Sequence, residues 1–212
     1  METRKYWLGF NVIKGVGPVR LRALRQFFGN LETAWHASES DLLAAGLDRR
    51  TLANLRQARQ VVDLDRLSQD VEALGAYVVT LEDPEYPPLL RELPDAPPVL
   101  YTKGTLRDVD QWAVAFVGTR RATVYGRDMT RQLVSGLVGA GITIVSGLAL
   151  GIDAAAHKAA LDAGGRTIAV MGCGIDVIYP PEHRGLAAAI VENGALVTEF
   201  PPGTPPEGKN FP

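Results

Sequence analysis

The sequence has 212 residues, of which 46% are hydrophobic and 22% charged, as in an ordinary globular protein; collagen, coiled coil and disorder are excluded. The single cysteine, Cys173, cannot form an internal disulfide, so we expect a cytoplasmic protein and not a secreted disulfide scaffold. The start of the chain shows no signal peptide. The uncharged stretch 132–152 could span a bilayer, but its glycines predict a helix, a turn and a strand.

The net charge of −2 is unevenly distributed and predicts three parts of the chain. Residues 1–62 hold ten Lys and Arg against five Asp and Glu, residues 63–110 hold four against eleven, and residues 111–212 hold eight of each. The basic first part would attract a polyanion, although such imbalances are more often solvated faces.

The first part, 1–62, is predicted to be a small all-α domain. Helical spacing and glycine breaks place helices near residues 7–13, 19–28, 31–35, 39–44 and 49–60. Pro18 suits a first helical position, and Gly29 suits the position just past a helix end.

The turn between the first two helices resembles a helix-hairpin-helix motif. Backbone N–H groups at Gly15 and Gly17 could meet a DNA phosphate, and Lys14 and Arg20 add positive charge. The same pattern also occurs in purely structural hairpins. We therefore treat these four residues as a secondary DNA contact.

The second part, 63–110, is predicted to be a connector that belongs to the following domain. It contains a helix over 64–74, a strand over 77–80 and an edge-like strand over 99–104. Prolines between residues 84 and 98 disfavour helix and predict ordered extended turns.

The third part, 111–212, alternates strands with helices. Strands are predicted over 113–117, 142–145, 167–171 and 195–198, and helices over 126–140, 152–163 and 182–192. The strands are short and apolar, as in a parallel sheet that is covered on both faces. This pattern predicts an α/β fold with a doubly wound, mostly parallel sheet.

Glycine-rich loops follow the first three strands of this part, at residues 117–126, 146–153 and 172–176. Ligands bind at this end of such sheets, and each loop precedes a helix or a turn whose N–H groups can face an anion. Thr119, Arg120 and Ser146 would add side-chain donors. Three adjacent loops of this kind favour a phosphate cradle over simple tight turns.

Other kinds of site are poorly supported. Arg120 stands where a dinucleotide fingerprint needs its second glycine, and no P-loop is present. Asp153 and His157 could share a metal, but Asp153 more simply complements a helix N-terminus. His183 and Cys173 lack evident catalytic partners, and His36 is expected at the surface. We therefore predict no catalytic residue, no metal and no cofactor.

Ordered residue blocks over nearly the whole chain resemble the DNA-processing protein A family (DprA, also called Smf), the recombination mediators of bacterial natural transformation. The blocks are Asp83-Pro84-x-Tyr86-Pro87, Pro97-Pro98-Val99-Leu100-Tyr101-x-Lys103-Gly104, Val117-Gly118-Thr119-Arg120-x-x-Thr123-x-Tyr125-Gly126, Ser146-Gly147-x-Ala149-x-Gly151-Ile152-Asp153-x-x-Ala156-His157, Gly172-Cys173-Gly174-x-Asp176-x-x-Tyr179-Pro180 and Glu199-Phe200-Pro201-x-Gly203-x-Pro205-Pro206.

The resemblance implies a sterile-alpha-motif-like head on an extended Rossmann-like domain that binds single-stranded DNA, protects it and helps to load the RecA recombinase. The implied DNA-binding residues lie in or beside the glycine loops, with Arg120 as the foremost: Gly118, Thr119, Arg120, Tyr125, Gly126, Ser146, Gly147, Gly151, Gly172, Gly174 and Lys209. The family continues beyond the position of Pro212, and a homodimer and the RecA contact are expected to use that region.

An enzyme is the alternative, because the family shares its core with phosphoribohydrolases that cleave nucleoside monophosphates. Those enzymes carry a Pro-Gly-Gly-x-Gly-Thr loop, which this sequence lacks. We therefore expect a non-catalytic DNA-binding protein.

Overall fold

The computed structural model describes residues 4–211 and divides the chain into two compact units, Met1–Leu100 and Tyr101–Pro212. The α/β class predicted from the sequence is confirmed, with helices first and a mostly parallel six-stranded sheet after them. The three-part division at residues 62 and 110 stays a prediction.

The first unit is mainly helical. Its elements are α1 (Arg4–Asn11), α2 (Pro18–Phe28), α3 (Leu31–His36), α4 (Glu39–Ala44), α5 (Arg49–Val61), α6 (Leu64–Ala73), β1 (Tyr77–Thr80) and α7 (Pro88–Arg91). Pro18 begins α2 and Gly29 follows its end, as predicted. The core holds Trp7 and an edge-to-face pair of Phe10 and Trp35, whose ring centroids lie 5.2 Å apart. His36 is exposed, as expected.

The basic and acidic segments of this unit pair with each other. Arg4 binds Asp83 at 2.7 Å, Lys5 binds Asp65 at 2.9 Å, and Arg25 pairs with Glu82. The positive charge of residues 1–62 is therefore partly neutralised by carboxylates of the connector. Its attraction for a polyanion is weaker than the charge count suggests.

The proline-rich connector differs from the extended turns that the sequence predicted. It contains one helical turn, α7, because Pro88 occupies the first helical position, where no N–H is needed. The buried Tyr86 donates its hydroxyl to the Pro97 carbonyl at 2.7 Å, which ties the two ends of the segment together.

The second unit contains three parallel strand–helix steps. Its elements are β3 (Ala113–Ala115), α8 (Val124–Gly139), β4 (Thr143–Ser146), α9 (Ile152–Asp162), β5 (Thr167–Val170), α10 (Arg184–Glu192) and β6 (Gly194–Thr198), with 3-10 turns at Asp108–Gln111, Pro181–His183 and Gly208–Asn210. One further strand, β2 (Val99–Gly104), contains the boundary between the units. The strand order is β1-β2-β6-β5-β4-β3.

Two strand predictions were wrong in detail. The strand over 99–104 is not at an edge, since β2 lies between β1 and β6 and pairs antiparallel with β6. The strand over 113–117 is shorter, and β3 is exposed instead of covered, because no helix of the described residues packs closely on it. Trp112, just before β3, is 65% exposed.

The helices of this unit pack in a row, with α9 between α8 and α10. A buried cluster of Val134, Ile144, Ala156 and Ala160 joins α8 and α9 to β4. This packing fixes the start of each helix beside the end of a strand. The loops at these ends are therefore held between rigid elements.

None of the helices within residues 4–211 combines the length and apolar character needed to cross a bilayer. The stretch 132–152 folds as most of α8, a turn and β4, as the sequence predicted. Gly141, in that turn, has a φ of 79°, a conformation that favours glycine.

Candidate nucleic-acid interface

Three loops follow β3, β4 and β5, and we call them the first loop (residues 116–123), the second loop (147–151) and the third loop (171–180). Since β3, β4 and β5 are parallel neighbours, their carboxyl ends lie along one edge of the sheet. The predicted phosphate site falls on this edge.

The first loop is organised by its two threonines. The Thr119 hydroxyl accepts the Arg121 N–H at 3.1 Å, and the Thr123 hydroxyl accepts the Gly126 N–H at 3.1 Å and so caps α8. The Thr119 carbonyl accepts the Ile152 N–H at 3.2 Å, which joins the first loop to the start of α9.

Unused donors remain in the first loop and at the start of α8. Within residues 4–211, the backbone N–H groups of Gly118, Arg120, Val124 and Tyr125 have no acceptor. The exposed Arg120 side chain likewise has no partner in this part of the chain. Together with the positive end of the α8 dipole, these donors can bind an anion.

Two glycines allow the first loop to approach α9 closely. A Cβ on Gly151 would lie 2.2 Å from the Thr119 carbonyl oxygen, and Gly151 has a φ of 84°. A Cβ on Gly118 would lie 2.6 Å from the Ile152 side chain. Both positions therefore require glycine on steric grounds.

The second loop uses its polar groups internally. The Asp153 carboxylate accepts the N–H of Gly147 at 3.0 Å and that of Ala149 at 3.3 Å. The Ser146 hydroxyl donates to the Phe116 carbonyl at 2.6 Å. The predicted contribution of Ser146 and Gly147 to a phosphate cradle would require these contacts to open.

Two histidines, His183 and His157, are buried in the second unit. The buried His183 donates from Nδ1 to the Leu148 carbonyl at 2.7 Å, where Leu148 has a φ of 59°. His157 is fully buried, and its Nδ1 lies 2.6 Å from the Thr167 hydroxyl. Burial, followed by repulsion from His183, lowers the pKa of His157 to about 4.

Asp153 and His157 therefore serve separate structural contacts. No group of three His, Cys, Asp or Glu side chains in the described range is arranged to hold a metal ion. The interpretation of Asp153 as a group that complements local N–H donors agrees with its position in the structure, although the donors belong to the second loop.

The third loop is covered by the end of the chain. A Cβ on Gly172 would lie 2.6 Å from the Asn210 carbonyl oxygen, and a Cβ on Gly174 would lie 2.8 Å from the Pro201 carbonyl oxygen. Cys173 is buried, and its thiol donates to the Val177 carbonyl at 3.1 Å. Burial, aided by Asp176, raises the pKa of this thiol, which disfavours a reactive thiolate.

Lys209 and Tyr125 are both exposed and so accessible to a ligand. Lys209 lies in the short turn Gly208–Asn210 and pairs with Glu207. Tyr125 is 74% exposed on the first turn of α8, one residue before Gly126. An aromatic ring in this position could stack on a base.

Four basic residues near Arg120 were missed by the sequence reasoning, which considered only the strand ends. Arg120 lines a surface cavity of about 520 Å³ with Arg121, Arg127, Arg131 and Lys158. The signal that could have found them is the four-residue spacing of Arg127 and Arg131, which places both on one helix face.

The predicted secondary DNA contact lies in the first unit. Gly15 has a φ of 100°, whereas Arg20 donates to the Gly15 carbonyl at 2.6 Å and to the Thr51 hydroxyl at 2.8 Å, and also pairs with Asp48. Gly17 has open space around its α-carbon. Lys14 is exposed, and its side chain has no partner among residues 4–211.

The chain is similar to known proteins. The family model for DNA recombination-mediator protein A matches residues 77–212. The Protein Smf of Synechocystis sp. is 42% identical over 212 residues, which cover 98% of this chain and 53% of that protein. The chain thus spans about half the length of the curated relatives it matches.

Two solved structures also match. The X-ray structure of DNA processing protein A from Streptococcus pneumoniae has a TM-score of 0.82 and 30% identity, over 98% of this chain and 71% of that one. A structure that describes the single-stranded DNA binding mode of DNA processing protein A from Helicobacter pylori has a TM-score of 0.56 and 34% identity, over 63% of this chain and 60% of that one.

Proposed function

Since the chain belongs to the DNA recombination-mediator protein A family, we propose that it binds single-stranded DNA as a recombination mediator of natural transformation. Arg120 carries this proposal. Its guanidinium is exposed and without a partner in the described chain, and Arg120 lies in the loop that leads to the unused N–H groups at the start of α8. Such donors recognise phosphates without regard to base identity.

The remaining predicted DNA-binding residues have different roles in this proposal. Thr119 and Gly118 shape the first loop, Gly151 lets it approach α9, and Tyr125 offers a ring on which a base can stack. Lys209 supplies a second cation once it leaves Glu207. The second and third loops have a structural role in this proposal.

The test compares binding of fluorescent single-stranded oligonucleotides to the wild type and to Arg120→Ala. We expect at least about a tenfold loss of affinity, since a charge-assisted contact to phosphate is worth roughly 1.5–3 kcal/mol. The slope of log affinity against log salt should fall by about one. Arg56→Ala removes another exposed arginine, in α5, and should leave binding unchanged.

A wild type that binds without salt dependence, or an Arg120→Ala protein that binds normally, would refute the assignment. Oligonucleotides of different sequence should bind alike, because backbone N–H groups and Arg120 contact phosphates only.

The proposed role is non-catalytic. The polar groups that could act in hydrolysis are engaged elsewhere: Ser146 with Phe116, His157 with Thr167 and His183 with Leu148. Incubation with nucleoside monophosphates should release no free base. Release of free base would instead favour a nucleotide-processing enzyme.

Protection of incoming DNA, loading of RecA and homodimer formation complete the proposed role in natural transformation. We expect the bound strand to resist nucleases and RecA to assemble faster on it. Each effect can be measured on this chain and, as a matched control, on Arg120→Ala. Equal protection or equal RecA assembly by both proteins would separate that activity from the Arg120 site.

A further inference from the structure

The cavity beside Arg120 extends away from the sheet edge, along the helices α8 and α9. Its volume is about 520 Å³. Arg127 and Arg131 line it from α8, while Lys158 and Asp162 line it from α9. We call this surface the helix groove.

Positive charge dominates the helix groove. Five Lys and Arg side chains line it against one carboxylate, that of Asp162. Arg127 donates to the Ala122 carbonyl at 2.7 Å and Arg131 pairs with Asp128 at 3.0 Å. Arg121 and Lys158 have no side-chain partner within residues 4–211, so the groove keeps a local excess of positive charge over the carboxylates of Asp162 and Asp128.

Small side chains line the helix groove between its basic walls. Ala154, Ala155 and Ala159 project into it from α9, and Leu150, 46% exposed, adds an apolar surface at the end nearest Arg120. Small residues leave room for a ligand between the walls. The apolar surface suits the sugar rings of a bound strand.

Arg127 and Arg131 are one helical turn apart, about 6 Å along the axis. This spacing is comparable to that of successive phosphates in an extended single strand.

We propose that the helix groove is a second phosphate-binding surface, which holds the sugar-phosphate backbone of single-stranded DNA beyond the nucleotides bound at Arg120. The inference rests on the proposed function, since the strand enters from the first loop. The bound strand would then run away from the sheet edge, along α8 and α9.

The test uses two single-stranded oligonucleotides, one of roughly 5 nucleotides and one of roughly 15, which span the range of site sizes of single-strand-binding OB-fold domains. The variant is R131Q/K158Q, which removes one charge from each wall. Both changes lie on exposed helix positions, so the fold should persist. The matched control is R56Q/R66Q, which removes two exposed charges from the first unit.

We expect R131Q/K158Q to bind the longer strand about tenfold or more weakly, with a salt slope smaller by about 1.4, since each phosphate contact to a single strand contributes about 0.7. Its affinity for the shorter strand should change by less than about twofold. Arg120→Ala should weaken the binding of both strands. R56Q/R66Q should match the wild type on both.

Equal affinity of R131Q/K158Q and wild type for the longer strand would overturn the helix groove while leaving the Arg120 site intact. An equal loss on both strands would place the two residues in the primary site and overturn the groove as a separate surface. Absence of binding by the wild type would instead refute the proposed function itself.

Discussion

The Asp153 carboxylate accepts the backbone N–H of Gly147 at 3.0 Å, so the first turn of α9 holds the loop that precedes it. Asp153 is buried and also accepts the Ala149 N–H. Asp153→Ala would leave both donors without an acceptor, and we expect the free energy of unfolding to fall by about 2 kcal/mol. Urea unfolding followed by circular dichroism measures this change.

Asp153→Asn is the control for this prediction, because one carboxylate oxygen accepts both N–H groups and the side-chain oxygen of asparagine can take its place. Its loss should be clearly smaller than that of Asp153→Ala. Equal losses would mean that the charge, and not the hydrogen bonds, holds the second loop.

Gly151→Ala should disturb the site and the stability together. Its Cβ would meet the Thr119 carbonyl oxygen at 2.2 Å, in a backbone conformation that alanine rarely adopts. We expect a loss of about 2 kcal/mol in the free energy of unfolding, and weaker binding of single-stranded DNA as the first loop shifts.

Gly185→Ala is the matched substitution. Gly185 lies in α10 with a negative φ and open space around its α-carbon, so alanine should leave binding unchanged and stabilise the helix by up to about 1 kcal/mol. A Gly151→Ala protein as stable as Gly185→Ala would show that the first loop does not depend on its close approach to α9.

Stability should fall in mildly acidic solution because of His157. Its pKa is lowered to about 4 in the folded protein, from an ordinary value of 6.5. Below pH 6.5 the unfolded chain binds a proton that the folded protein rejects, so the free energy of unfolding decreases until about pH 4. The total loss is about 3 kcal/mol.

His157→Asn tests the source of this pH dependence. The Thr167 hydroxyl donates to the Ile144 carbonyl at 2.8 Å, so it accepts from His157, and an asparagine amide can replace that donor. The variant should lose much of the decline in stability between pH 6.5 and pH 4.5. A decline of the same size in both proteins would assign it to another group.

The ion pair of Asp110 and Arg166 should be a major support of the second unit. Arg166 binds both carboxylate oxygens, at 2.9 and 2.7 Å, and both side chains are nearly buried. Burial raises the pKa of Asp110, but the hydrogen bonds from Arg166, the Arg107 N–H and Thr143 outweigh it and lower the pKa below the usual value.

Asp110→Ala would leave the Arg166 charge buried without its partner, and we expect a loss of about 3 kcal/mol or more in the free energy of unfolding. The exposed pair of Arg66 and Asp70 provides the comparison. Asp70→Ala should cost about 0.5 kcal/mol or less, since solvent screens that pair. Similar losses in the two variants would contradict a special role for burial.

The sequence predicted the strand–helix alternation of the second unit because each element is short and bounded by glycines. Pro18 and Gly29 likewise marked the ends of α2. The position of β2 could not be predicted, because partners along the chain do not determine order across a sheet. The exposure of β3 could not be predicted either, since apolar residues do not show which strands the helices will cover.

The site was predicted in part for a similar reason. Glycines identified the loops, and Gly118 and Gly151 do permit close approach in the structure. The sequence could not reveal that Asp153 occupies the N–H groups of the second loop, or that residues near Asn210 cover the third. Both features depend on tertiary contacts, which a local sequence pattern does not show.

The distribution of tryptophans determines how these variants can be observed. Trp7 and Trp35 are buried in the first unit, at 4% and 5% exposure, whereas Trp112 in the second unit is already 65% exposed. Unfolding will therefore shift the fluorescence emission of the first unit and scarcely change that of the second. An emission-monitored melt would miss damage at the proposed DNA site, while acrylamide quenching of native protein would report chiefly on Trp112.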